Sequence, residues 1–377
     1  MTEGDYAQVK TGQVVENADE GEKVQDEWGE SGGEYVMERW KQMLARSCRG
    51  AAGLEAVTRV FPMCLSPHVL ELIRGGSEAI RRQFMPDVAE LEESGDLQPD
   101  PLAEERLSPV PNIVHKYPDH CLFLVSDACA AYCRFCTRKR KFGAGRGIDP
   151  TKLEPGFAYI ERHAEIRDVL VSGGDPLLLE DGRLEEILRR LRKIRHLEII
   201  RLGTRVPFSL PERVTRKLAR MLGRYHPLYV NVHVNHPDEL DAKTVGALGR
   251  LADAGIPLGS QTVLLKGVND SVEVMRTLMT KLLAARMRPY YLFQSDLVFG
   301  NEHFRTPLRQ GLEIMRGLRC WISGLGVPAF IIDLPNGGGK VQLVPENLVR
   351  REGRRWTFLN YRGQEYVYPD VGEEDED

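Results

Sequence analysis

The run Cys129-Ala130-Ala131-Tyr132-Cys133-Arg134-Phe135-Cys136 crowds three thiols into eight positions of a 377-residue chain. A spacing of three residues and then two puts the thiols on one tight loop. There they can ligate three irons of a cubane and leave the fourth iron without a protein ligand. A cluster used only to pass electrons normally has every iron capped by cysteine, so three ligands point to chemistry at the bare iron. A structural zinc site is the first alternative, but it needs a fourth ligand and usually a second Cys/His pair, and none follows. Three inert core cysteines are the second, but free cysteines are usually scattered through a core as small hydrophobes.

Outward from this loop the chain alternates. Apolar runs that read as strands are Cys121 to Val125, Asp168 to Val171, Leu197 to Leu202, Leu228 to Val234, Leu258 to Leu265 and Tyr290 to Phe293. Amphipathic stretches lie between them, such as Leu184 to Ile194, Pro211 to Leu222, Glu239 to Ala254 and Ser271 to Arg286. Six strand-then-helix units predict an α/β fold with a parallel sheet, a partial (βα)6 barrel. In such folds active-site groups gather on loops after strand C-termini. The cysteine loop, Ser172-Gly173-Gly174-Asp175, His233 and Asp296 all fall there.

Residues 1–30 are acidic, Gly-rich and poor in large apolar residues, and read as a disordered tail. Residues 31–110 read as a helical N-terminal region, with Met37, Trp40 and Met43-Leu44 at helical spacing and a second set over Ala79 to Met85. Within it, Gln98-Pro99-Asp100-Pro101 to Pro109-Val110-Pro111 is a connection. Residues 111–300 hold the barrel, 301–368 a C-terminal extension with extended stretches, and 369–377 an acidic tail. With 42% hydrophobic residues the chain can bury a large core, and a net charge of −4 gives no basic face for nucleic acid. Arg138-Lys139-Arg140-Lys141 is a local exception beside the cysteines, fit to bind phosphate or carboxylate or to stay solvated. No signal-peptide pattern and no run of about 18 apolar residues is present, so a cytoplasmic protein without membrane contact is expected. Seven cysteines, three of them clustered, fit a reducing compartment.

A cube with a free iron suits S-adenosylmethionine, whose amino and carboxylate groups can chelate iron while the cluster supplies an electron to the sulfonium. Gly173 and Gly174 would let backbone approach such a ligand, and Asp175 could accept from its ammonium, although a Gly-Gly-Asp is also a common plain turn. Asp333-Leu334-Pro335-Asn336-Gly337-Gly338-Gly339-Lys340 is the second constellation. Glycines before a reachable lysine suit a Schiff base with an aldehyde cofactor such as pyridoxal phosphate. The nucleotide-binding pattern Gly-x4-Gly-Lys-Ser/Thr is not met, because Val341 follows the lysine; a simple glycine turn is the other reading.

The cysteine run resembles that of the lysine 2,3-aminomutase family of radical S-adenosylmethionine enzymes. So do Tyr117-Pro118-Asp119, Thr137-Arg138, Val232 to Pro237, Gln261 to Asp270, His303 to Pro307 and the Lys340 segment, in the same order. The likeness extends over roughly residues 35 to 368. It implies a barrel of radical S-adenosylmethionine type and a [4Fe–4S] cluster on Cys129, Cys133 and Cys136. It further implies S-adenosylmethionine among Gly173, Gly174, Asp175, His233 and Gln261, and pyridoxal 5′-phosphate on Lys340 near Lys116, Tyr117 and His120. His120 stands where the family usually has arginine, which would make phosphate affinity weaker or pH-dependent, unless it is an ordinary surface histidine. Asn336 and Leu334 also depart from the family pattern. Cys320 is the last cysteine, so the zinc ligands of some members are missing and no zinc is expected.

By the same resemblance Arg138 binds the substrate carboxylate, and Asp296 and Asp333 hold a distal ammonium; a surface acid and a turn acid are the plainer readings. Two carboxylates aimed at one pocket favour a cation and disfavour glutamate. The implied activity is a cytoplasmic aminomutase moving the α-amino group of L-lysine to the β-carbon. An electron donor such as flavodoxin or ferredoxin, and a homo-oligomer, are implied with it. An aminomutase for arginine, ornithine or a protein-bound lysine is the alternative, and a non-catalytic iron–sulfur binding module the remaining one.

Overall fold

The computed structural model describes residues 51–92, 95–141, 148–149 and 151–370, with the backbone of two short strands, β1 (Val9–Lys10) and β2 (Gln13–Val14), which pair with each other. The expected disordered tail, the helical pattern around Met37 to Leu44 and residues 371–377 lie outside the described residues apart from that strand pair.

The main sheet contains β3 (Ile113–Tyr117), β4 (His120–Ser126), β5 (Asp168–Gly173), β6 (Ile199–Thr204), β7 (Leu228–His233), β8 (Leu258–Leu264), β9 (Met287–Gln294), β10 (Ala329–Leu334) and β11 (Gly339–Leu343). Their spatial order follows the sequence from β3 at one edge to β11 at the other. Strands β4 to β10 are mutually parallel, and β3 and β11 pair antiparallel on the two flanks. The six expected strands are all present. The extension supplies a seventh parallel strand, β10, which continues the barrel beyond residue 300 by pairing with β9.

Alternation along the strands sets the two faces. Val169 and Val171 on β5, Ile200 and Leu202 on β6, and Val230 and Val232 on β7 are fully buried in one apolar core with the covering helices. Their neighbours Leu170, Ser172, Arg201 and His233 are only part-buried, which is the signature of a sheet with one packed and one open face. Helices Asp181–Leu191, Ala242–Asp253 and Val272–Ala284 bury the stripes that their periodicity predicts, including Leu188, Leu251 and Leu278.

Helix starts differ from the sequence reading where a capping side chain decides. The expected helix over Pro211 to Leu222 breaks into a 3-10 turn and a helix Arg216–Leu222, because the Thr215 side chain accepts from Leu218 N. The stretch from Glu239 starts its α-helix only at Ala242, capped by Asp241. Helices Ala51–Val60, Pro67–Arg74 and Glu78–Phe84 precede the barrel. Strands β12 (Leu348–Glu352), β13 (Arg355–Leu359) and β14 (Glu365–Pro369) form a separate antiparallel sheet. Among the described residues no helix is long and apolar enough to cross a membrane.

The two edges of the main sheet are not hydrogen-bonded strand to strand. Side chains join them instead: Lys116 of β3 donates to Asp333 at 2.6 Å, and Lys340 of β11 donates to the Tyr117 hydroxyl at 3.3 Å.

Candidate active site

The cysteine loop leaves the C-terminal end of β4 and is tied down on both sides. Gly174 N donates to Ser126 O at 2.6 Å and Asp175 N to Ala128 O at 2.7 Å. A Cβ on Gly173, whose φ is +141°, would lie 2.2 Å from Ser126 O, and one on Gly174 2.2 Å from Ala128 O. The glycines are thus required by the contact between two loops, which seats the thiols against β5. On the other side Arg134 N donates to Gln83 O at 2.8 Å, and the Arg134 guanidinium grips the buried Glu90 carboxylate at 2.8–2.9 Å.

Cys129, Cys133 and Cys136 line one cavity with Phe61, Tyr132 and Lys139. Burial, with added repulsion from Cys133, pushes the Cys136 thiol up to about 11; burial, then Cys136, Asp175 and Cys133, push the Cys129 thiol well above its usual range. Three soft sulfurs gathered on one cavity fit a polynuclear iron–sulfur cation, whose charge would favour their thiolate forms. The Cys133 sulfur also accepts a hydrogen bond at 2.8 Å from Arg205, the residue just after β6.

His233, at the C-terminal end of β7, stands beside the loop. The His233 ring lies 5.4 Å from that of Phe135, which sits between Cys133 and Cys136. Burial, then the Arg205 charge, pushes the imidazole down to about 3, so it is neutral, with Nε2 bonded to Asn235 Oδ1 at 3.0 Å. Gln261 is the direct cross-strand partner of His233. Asp175 is committed elsewhere. Its carboxylate takes Thr204 Oγ1 at 2.7 Å and the backbone N–H groups of Leu177, Arg205 and Val206. Burial nonetheless lifts it to about 6.

The Lys340 side is built at the seam of the sheet. Asp333 and Lys340 are register partners on β10 and β11, and the Lys340 amine lies 3.1 Å from Asp333 Oδ2 while Lys116 holds Oδ1. Burial lowers the Lys340 amine, but Asp333 and Tyr117 more than offset this and hold it above the usual lysine range. The turn between these strands places Asn336 at φ 55°, a conformation that asparagine tolerates better than most residues. Arg106 donates to Asn336 O at 2.7 Å. Tyr117 and His120 stack with centroids 4.7 Å apart, and His120 Nδ1 is bonded to Asp119 at 2.7 Å. An amine about three-tenths exposed beside a stacked aromatic pair fits an aldehyde-bearing heteroaromatic ring.

Between the two halves lie Asp296 and Arg138. Burial and Asp333 lift the Asp296 carboxyl to about 6, against the opposing effects of Thr137, which donates at 2.7 Å, and Lys340. Next to it Ser295 Oγ is buried without a hydrogen-bond partner among the described residues. Arg138 grips buried Glu104 through Nε and Nη2 at 2.6–3.0 Å, and feels the charges of Cys136 and Asp296 as well. Asp296 thus lies within electrostatic reach of both Arg138, two residues beyond Cys136, and Lys340.

Three residues here escaped the sequence reading. Glu104 sits in the Pro-rich connection and carried no signal. Thr137 was noted only as Arg138's neighbour. Arg205 did carry one, a lone charge between a strand end and the apolar Val206-Pro207-Phe208.

Two family models match the chain: one described as the Radical SAM superfamily over residues 123–278, and one described as Lysine-2,3-aminomutase over residues 315–376. The L-lysine 2,3-aminomutase of Fusobacterium nucleatum is 44% identical over 314 residues, 82% of this chain and 74% of that one. The L-lysine 2,3-aminomutase of Methanococcus maripaludis is 45% identical over 317 residues, 82% and 73%. The glutamate 2,3-aminomutase of Clostridioides difficile is 42% identical over 302 residues, 79% and 71%.

Proposed function

We propose, from the premise that this chain belongs to the lysine 2,3-aminomutase family of radical S-adenosylmethionine enzymes, that it interconverts L-lysine and β-lysine by moving the α-amino group to the β-carbon. The observation that carries the choice of lysine over glutamate is the pairing of Asp296 with Asp333. Burial first and then the Asp333 charge hold the Asp296 carboxyl up near 6 although Lys116 and Lys340 already pair with Asp333, so an ammonium brought to Asp296 is favoured and a substrate carboxylate is not.

When bound, the [4Fe–4S] cluster and S-adenosylmethionine supply a carbon radical able to abstract hydrogen, and pyridoxal 5′-phosphate supplies the conjugated ring that bears the migrating nitrogen. Cys129, Cys133 and Cys136 hold the cluster. His233 and Gln261 flank S-adenosylmethionine, with Gly173 and Gly174 beside it. Asp175 acts there through the backbone groups it fixes, its oxygens being filled from within the chain. Lys340 anchors pyridoxal phosphate, with Lys116, Tyr117 and His120 orienting ring and phosphate. Arg138 takes the substrate carboxylate on the part of its fork that Glu104 leaves free, since Nη1 accepts no duty in that pair. Asp296 takes the distal ammonium, and Asp333, whose Oδ1 is held by Lys116, joins it through Oδ2 when Lys340 is turned to pyridoxal phosphate. Fixing both ends of the substrate places one β-hydrogen nearest the radical, which is how a non-selective reagent becomes selective.

We further propose the divisions expected from the sequence with one change: the barrel that begins near residue 111 runs past residue 300 through β10 into the lysine-bearing segment 301–368, and the helices of the described residues from 51 onward precede it. A low-potential one-electron donor of the flavodoxin or ferredoxin class, a homo-oligomer and a cytoplasmic location complete the reading.

The test is anaerobic reconstitution followed by parallel assays with L-lysine, L-glutamate, L-arginine and L-ornithine, with β-amino acids read out by mass spectrometry. β-Lysine as the dominant product is expected. A β-glutamate product, or none from any free amino acid, overturns the assignment; in the latter case a lysine-bearing protein is the next substrate to try.

A further inference from the structure

Arg205 has no part in the substrate chemistry above, yet both terminal nitrogens of its buried guanidinium are engaged. Its guanidinium is buried, with Nη1 on Cys133 Sγ at 2.8 Å and Nη2 on Gln83 Oε1 at 2.7 Å and Glu239 Oε2 at 3.0 Å. Phe84, Phe135 and Phe208 surround it at 4.6, 5.3 and 5.2 Å from charge centre to ring centroid. Glu239 is fully buried and divides its own charge, because Oε1 already accepts from Asn235 N, His236 N and Gln83 Nε2.

We infer that Arg205 sets the reduction potential of the cluster on Cys129, Cys133 and Cys136, by presenting a buried cation and an N–H donor to the Cys133 sulfur. The inference rests on the reading that these cysteines hold a [4Fe–4S] cluster. One-electron reduction adds negative charge to the sulfurs, so a fixed cation and hydrogen bond at one of them stabilise the reduced state more than the oxidised one. Hydrogen bonds to cluster sulfurs and local net charge are established determinants of such potentials. The aromatic cage excludes water, so the charge acts through a low dielectric and is not screened away. A merely structural arginine would spend Nη1 on a carbonyl or carboxylate. Here that donor goes to sulfur, while the groups fixing the guanidinium lie on the opposite branch.

The same groups connect the cluster loop to the end of β7. Gln83 Oε1 also accepts from Asn235 Nδ2 at 3.0 Å, and Asn235 Oδ1 meets His233. Arg205 is a positioning and tuning residue rather than a catalytic one, since its Nη1 and Nη2 are taken up by Cys133, Gln83 and Glu239.

The experiment compares wild type, Arg205→Gln and Glu239→Gln as full-length reconstituted protein, by redox titration with dithionite and viologen mediators read by electron paramagnetic resonance. At the wild-type midpoint the ratio of reduced to oxidised cluster should fall about tenfold in Arg205→Gln, a negative shift of about 59 mV for one electron. In Glu239→Gln, where the countercharge is removed, it should rise. Arg205→Lys should recover part of the loss. Unmoved midpoints in variants with full iron and sulfide, or shifts of the same sign in both, overturn the role of Arg205. If Arg205→Gln does not fold by circular dichroism, the sign in Glu239→Gln decides: a rise supports the inference, and no change or a fall defeats it. Wild type that assembles no cluster defeats the reading of the cysteines instead.

Discussion

Replacing Asp296 by asparagine should strengthen the cofactor-free protein while crippling it as an enzyme. The carboxyl is lifted to about 6, first by burial and then by Asp333, against about 3.9 for a solvated aspartate. Below about pH 4 it is neutral in the folded and unfolded chain alike. Between about pH 4 and 6 the unfolded chain ionises and the folded one resists, and above that range the folded protein carries the full penalty of the buried charge, about 3 kcal/mol. Asparagine keeps an oxygen for Thr137 Oγ1 and has no charge to bury. The stability advantage of Asp296→Asn, measured by urea unfolding, is therefore expected to be near zero at about pH 4, to grow through about pH 6 and to level off near 3 kcal/mol. Loss of a charge-assisted contact to the substrate ammonium, roughly 1.5–3 kcal/mol, should lower kcat/KM for lysine about ten- to hundredfold. Added L-lysine should accordingly protect wild type against unfolding more than the variant. An advantage that does not change between pH 4 and 7.5, or undiminished turnover of lysine, would refute the reasoning.

Lys340→Ala is expected to abolish turnover and the absorption of bound pyridoxal phosphate while leaving iron content at the wild-type level; turnover without that amine ends its assignment. Gly174→Ala drives a Cβ to 2.2 Å from Ala128 O, a backbone atom with no room to yield, and should cost a few kcal/mol and the bound iron. Gly182→Ala, with nothing within 4 Å, is the control that should retain both. Arg138→Lys keeps the charge but loses the fork, so KM for lysine should rise about tenfold with kcat little changed, by steady-state kinetics.

The barrel was legible wherever burial on the helix side forced unbroken or alternating apolar runs, as at Leu228–His233 and Leu258–Leu264. It was obscure at its rims. Ile113–Tyr117, just past the Pro-rich connection that ends at Pro111, was not read as a strand, because its outer half, His115 to Tyr117, is only part-buried and shows no apolar run. Ala329–Leu334 and Gly339–Leu343 were seen only as extended stretches, since what makes them barrel strands is pairing with β9 and with each other. Chemistry carried by local spacing, the cysteine run and the Gly-rich approach to Lys340, could be read directly. Chemistry carried by distant partners could not. Arg205 meets a sulfur 72 positions away and an amide 122 away, and Arg138 finds Glu104 only 34 positions off but across an irregular connection without period or motif. Asp175 shows the converse hazard, a residue in a suggestive motif whose oxygens turn inward.

The join between Ile113–Tyr117 and Gly339–Leu343 has a consequence of its own. A hoop of strands that never closes through its backbone is clasped by two ammonium groups, and one of them, on Lys340, is also the proposed attachment point for the reagent. Once Lys340 is derivatised, Lys116 is left to secure Asp333 alone. Arming the protein and slackening its hoop are a single event.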